Sequence, residues 1–276
     1  MILGIEDYVS DAPAPSKLGT VVPCLVPVSA ESPIDVYLKR VRESLLYGTP
    51  QALKSNHFLG RLLALGVVAA AESYFREVLA SSMMICPVAK SNASSKAVNL
   101  GSLLWNGHGF FTRSAFDNSS FSSADGLKKA TQDYLSYKME DSLFATPLVE
   151  FDKVCNIRHS IVHADGMLPG KNAVQLDIPQ QKGPVQLVIG YDELQDIASI
   201  VTTLVATYNR TIFKVMCQRW AIDWRKRNDW EPAKDDILFK KIWDIFHSVE
   251  QNKVRKGRSK ITKQACIKVV KAQYSI

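Results

Sequence analysis

Arg158, His159 and His163 lie within six residues of one another in the segment NIRHSIVH. A guanidinium presents a fixed positive fork that suits a phosphate whose charge rises in a transition state, and an imidazole moves protons near neutral pH. Together these groups are equipped to cleave RNA without a metal. The ribose 2′-hydroxyl is deprotonated and attacks the adjacent phosphorus, the leaving 5′-oxygen is protonated, and arginine holds the pentacoordinate phosphate. DNA, lacking that hydroxyl, is refused. With twelve Arg and five His in 276 residues, an Arg four to six places before a His arises by chance about 0.6 times. Requiring His, Asn or Asp directly after the Arg lowers this to roughly 0.1.

The helix that must carry these residues opens at Pro147 in PLVEFDKVCNIRHSIVHADG, where Leu148, Phe151, Val154, Ile157, Ile161 and Val162 follow the helical period until Gly166 ends it. Positions five apart on an ideal helix are separated by about 140°, so Arg158 and His163 do not share a face. His159 and His163, at i and i+4, do. That pair, with Asp165 nearby, admits an alternative use as half of a zinc site, but HSIVH lacks the HExxH glutamate and no third ligand is evident.

Other elements follow from pattern. Residues 1–33 hold five of the twelve prolines and read as an extended arm. Ser32 and Pro33 open a helix that continues to Gly48, and about Asn56–Ile85 forms the longest and most apolar helix, which should be central in the core. Residues 88–122 read as an irregular connection with a short helical piece, and a further helix begins near Ser123. VQLDI (174–178) and VQLVI (185–189) alternate around PQQKG and predict a small β-hairpin. Long helical patterns then cover about 193–223 and 233–250, with a weaker one over 259–272. The expectation is an all-α bundle with a hairpin insertion: an arm (1–33), a helical domain (34–223) and a C-terminal helical extension with a basic tail (224–276).

At this point the chain resembles the HEPN superfamily, whose RNase members are helical bundles with an Arg-x(4–6)-His motif in which a polar residue follows the Arg. Arg158–His163 fits that form, AAAESYFREVL resembles the Glu-plus-aromatic core helix of several HEPN groups, and HADG followed by YDELQDIASIVTTLVATYN extends the likeness to about residues 50–215. The resemblance implies a metal-independent endoribonuclease with Arg158 and His163 catalytic, acting as a homodimer, leaving a cyclic phosphate, and serving as a toxin or antiphage effector with a regulatory partner protein. The alternative it implies is a non-catalytic HEPN module that binds nucleotide or RNA within a larger complex. His159 and Glu72 take supporting roles, Glu72 either orienting Arg158 from the neighbouring helix or forming a structural ion pair. Some HEPN toxins carry a modifiable Tyr two places after the motif His; here that position is Asp165.

The net charge of +7 is local. Residues 251–276 carry eight Lys or Arg and no acid, and +7 less +8 leaves −1 on the first 250 residues. Lys253, Arg255, Lys256 and Arg258 in this tail are candidates for sequence-independent RNA capture, or form a solvated tail. Trp220, Trp224 and Trp230, interleaved with Arg219, Arg225, Lys226 and Arg227, either stack on bases or belong to the core. His57, His108 and His247 sit in no polar cluster. Five scattered cysteines without a CxxC pair read as reduced thiols, no cofactor or metal is called for, and the absence of a basic n-region or a ~20-residue uncharged span places the chain in the cytoplasm with no membrane segment.

Overall fold

A computed structural model describes residues 9, 16–27, 30–139, 141–255 and 261–276, without the side chains of His108 and Asp141. The chain divides into two units, 1–30 and 31–276. The described residues of the first are all exposed and contain one 3-10 turn, Val22–Cys24.

The second unit is helical: α1 (Pro33–Tyr47), α2 (Pro50–Ser55), α3 (His57–Ile85), α4 (Pro87–Ala93), α5 (Leu100–Phe110), α6 (Ala124–Leu135), α7 (Asp141–Ala164), α8 (Gly170–Gln175), α9 (Tyr191–Gln218), α10 (Asp235–Phe246), α11 (Val249–Lys253) and α12 (Lys263–Tyr274). Capping chemistry sets many of the starts. Ser32, Thr49, Asn56, Ser123, Ser248 and Thr262 each accept a hydrogen bond from the backbone N–H three residues on, satisfying a donor that has no partner within the helix. Proline at the first position opens α1, α2 and α4, where its missing N–H costs nothing.

Helix α3 is the centre. It packs against α1, α7 and α9 and buries Val67, Ala71, Phe75 and Val78. By length and composition alone it is apolar enough to cross a membrane, but half of its most apolar window is buried inside the protein. An aromatic cluster ties the four helices together: Phe75 meets Tyr208 edge-on at 5.2 Å and Phe151 at 6.3 Å, and Tyr74 meets Tyr37 at 5.9 Å. Each tyrosine hydroxyl has a partner, Tyr37 with Thr202, Tyr74 with Asn209 and Tyr208 with Thr131, so the polar ends are buried without an unpaired group.

Three expectations change. Helix α7 begins at Asp141, with Pro147 in its interior. Proline removes one donor, but Phe144, Leu148 and Phe151 fall on one side and are buried, and that burial outweighs the lost bond. Residues 88–122 are mostly ordered, as α4, α5 and a 3-10 segment, Phe111–Phe116. The β-hairpin does not form: no strand occurs among the described residues. Val174 and Gln175 close α8 instead, and Asp177 at φ +53° ends it, its N–H donating to Val174 O and that of Ile178 to Ala173 O. The alternation of VQLDI has no core to face, since Val174 is exposed, whereas Asn172 is buried and donates to Asn156 Oδ1 of α7 at 2.9 Å. The second arm pairs elsewhere, through one antiparallel bridge between Gln186 and Met167.

Gly60 allows the close approach of that second arm to α3. A Cβ there would lie 2.0 Å from the carbonyl oxygen of Ile189. Gly60→Ala is therefore expected to lose about 2 kcal/mol in urea denaturation, although alanine is favoured over glycine within a helix by about 1 kcal/mol.

Candidate functional site

Helix α7 places its polar residues on two sides. Its apolar side, with Phe151, Val154 and Ile161, is buried in the core formed with α3 and α9. Arg158 turns toward α3, where its Nη2 lies 3.7 Å from Glu72 Oε1; the two side chains are 30% and 16% exposed. Asp152, Asn156, His159 and His163 recur at i, i+4, i+7 and i+11 and so form a polar stripe. His159 and His163 are both exposed, their ring centroids 4.5 Å apart.

A cleft of about 420 Å³ opens beside the stripe, between the start of α6, α7 and α8. His159 and Lys171 line it, together with Asp152 and Asn156. These groups are held in place. Asp152 accepts the backbone N–H of Ala124 at the start of α6, and Asn156 Nδ2 donates to Asp152 O. Burial pushes the Cys155 thiol well above its ordinary range, with Asp152 and Glu72 acting in the same direction, so it stays protonated and unreactive.

The end of α7 is a built turn. Asp165 and Gly166 both take positive φ, and a side chain at Gly166 would strike Arg61, whose guanidinium lies 3.8 Å from Asp165. This closure fixes where His163 sits in the last turn.

The structure thus brings together Arg158 with Glu72, and His159 with His163. It does not join the two pairs: among the described residues no contact links Arg158 to His163, as the 140° offset requires. Lys171 and Asn172 were not legible as site residues, because the segment that carries them reads as the approach to a hairpin. Asp152 and Asn156 were legible in principle, as the upstream members of the stripe. No group of three or more His, Cys, Asp or Glu able to hold a metal ion occurs among the described residues, so the third ligand of the zinc alternative is not supplied.

Three of the tail lysines pair with carboxylates. Lys253 pairs with Glu250, Lys263 with Asp236 and Lys271 with Asp235, so part of the positive charge is matched within the protein. Arg255 is half-buried; Lys256 and Arg258 lie outside the described residues. The tryptophans resolve in favour of the core: Trp220 and Trp224 are buried, and Arg225 lies over the rings of Trp220 and Trp230 while binding both oxygens of Asp235. All five cysteines are free.

Comparison with known protein families, curated proteins and solved structures finds no match.

Proposed function

We propose that the chain is a metal-independent endoribonuclease of HEPN type, cytoplasmic, and a toxin or antiphage effector that a partner protein restrains. The observation that carries this reading is the exposed pair His159 and His163 on the polar stripe of α7, with Arg158 on the same helix held by Glu72. His163 transfers the proton and Arg158 binds the scissile phosphate, with His159 beside them. Because Arg158 and His163 point about 140° apart on their helix, the reactive set is completed between two copies of the chain. Exposed apolar residues border the end of α7: Val162 and Met167, with Phe58 and Leu62 on α3 near Arg61. They suit a self-complementary contact.

His163 accepts the 2′-hydroxyl proton as that oxygen bonds to phosphorus, and the imidazolium so formed returns a proton to the 5′-oxygen as the P–O5′ bond breaks, which leaves a 2′,3′-cyclic phosphate and a 5′-hydroxyl. Purified protein incubated with labelled RNA in EDTA should therefore cut it and leave those ends, while DNA of the same sequence stays intact. Absence of cleavage at stoichiometric protein, or its loss in EDTA, overturns the proposal.

One observation favours a second reading, a non-catalytic module that binds RNA or nucleotide: the half-buried Arg158–Glu72 pair has the form of a structural ion pair. Binding of RNA without cleavage in the same experiment would select it.

A further inference from the structure

A second cavity, of about 530 Å³, lies between α9, α10, α11 and α12, on elements other than the one that carries the histidine pair. It falls within the range of roughly 300–1,000 Å³ typical of small-ligand sites. Its lining combines two features. One is an aromatic wall: Trp243 and Phe213 line it, and the Trp243 ring stacks on His247 at 4.0 Å with 21° between planes. The other is unmatched positive charge. Arg210 and Arg255 stand at the lining, and neither guanidinium has a carboxylate partner among the described residues. Among the described residues no Asp or Glu lines the cavity.

Elsewhere in this protein an arginine beside tryptophan is neutralised, as Arg225 is by Asp235. The contrast matters because a guanidinium fork left open near an aromatic surface suits a planar group bearing an anion: the rings stack, and the forks take phosphate oxygens in pairs. Burial holds the His247 imidazole below its ordinary range, so its ring is uncharged at neutral pH and serves as part of the stack. Gln251 adds an amide able to contact a base edge.

We propose that this cavity binds a free nucleotide, with its base against Trp243 and Phe213 and its phosphates held by Arg210 and Arg255. The site is separate from the one on α7 and does not depend on RNA cleavage. A nucleoside alone leaves the forks empty, and an inorganic phosphate leaves the aromatic wall uncovered. Each half should bind weakly.

Isothermal titration calorimetry on the full chain tests this, with ATP and AMP as probes and adenosine and inorganic pyrophosphate as the half-ligands, in EDTA. ATP should bind at least tenfold more tightly than either half-ligand. The double variant Arg210→Gln, Arg255→Gln should weaken ATP binding by tenfold or more without a change in melting temperature, because among the described residues neither side chain has an acidic partner to lose. His163→Ala should bind ATP as the wild type does, which separates this proposal from the fate of the cleavage reading. No heat at millimolar ATP, or undiminished binding by the double variant, overturns it. Displacement of ATP by an oligoadenylate of higher affinity also overturns it, in favour of a track for RNA.

Discussion

Alanine at His163 is expected to reduce RNA cleavage by about 10²–10⁴-fold, the usual contribution of a positioned proton-transfer group. Arg158→Ala should cost about 10²–10³-fold, because the charge that builds on the pentacoordinate phosphate loses its donor. His163 is exposed and makes a single ring contact, with His159, so its loss should leave the melting temperature unchanged. Arg158 is half-buried against Glu72, and its loss should lower stability by about 1 kcal/mol through the uncompensated carboxylate. The two groups act as a unit, so the double variant should be little worse than the poorer single one. Mixing the two single variants is more telling. If each reactive set takes Arg158 from one copy and His163 from the other, half the dimers in an equal mixture are heterodimers with one of two sites intact, and about a quarter of wild-type activity returns. No recovery would place both residues in one chain's site. Full activity in both single variants would sink the cleavage reading altogether.

Asp35→Ala should lower stability by about 3 kcal/mol, which corresponds to a fall of roughly 6–12 °C in melting temperature for a domain of this size. The carboxylate is buried on α1 and reaches across to the start of α11, where Oδ1 accepts from the Ser248 hydroxyl and Oδ2 from the Val249 N–H at 2.9 Å. Ser248 in turn caps α11 by accepting the Gln251 N–H at 3.0 Å. Removing Asp35 therefore leaves a buried hydroxyl and a helix-terminal N–H with no partner, and hydrogen bonds to a charged group are among the stronger ones. Asp35→Asn retains one oxygen and should lose less. Thermal denaturation of the three chains decides it; a shift under 2 °C for Asp35→Ala would show that solvent replaces both bonds.

The helices most fully legible were those whose ends carry local signals. Ser32 with Pro33, and Asn56 with the Cys86–Pro87 boundary, mark α1 and α3 because capping depends on residues within one turn. The start of α7 was not legible. A rule that puts proline at the first helical position is local, whereas Phe144 and Leu148 are held in the helix by a core assembled from distant segments. The VQLDI segment failed for the same reason: alternation signals a strand only if one face finds something to cover it, and the buried anchor of that region is Asn172 on Asn156. The Trp220–Arg225 region was open from composition alone, and burial of Trp220 and Trp224 decided it.

The sequence by itself determined the helical class, the central place of α3, and the presence of Arg158, His159 and His163 on one helix, because period and spacing are properties of neighbouring residues. Tertiary structure decided that Arg158, half-buried, does meet Glu72, while both histidines face solvent and His159 lines a cleft with Lys171. It also decided that Lys253, Lys263 and Lys271 of the tail are answered by Glu250, Asp236 and Asp235, and that Arg210 and Arg255, without a carboxylate partner among the described residues, line one cavity with Trp243 and Phe213. Residues tens of positions apart acquire a shared environment only when their helices pack, and neither burial nor the partner of a charge is encoded in any short window of the chain.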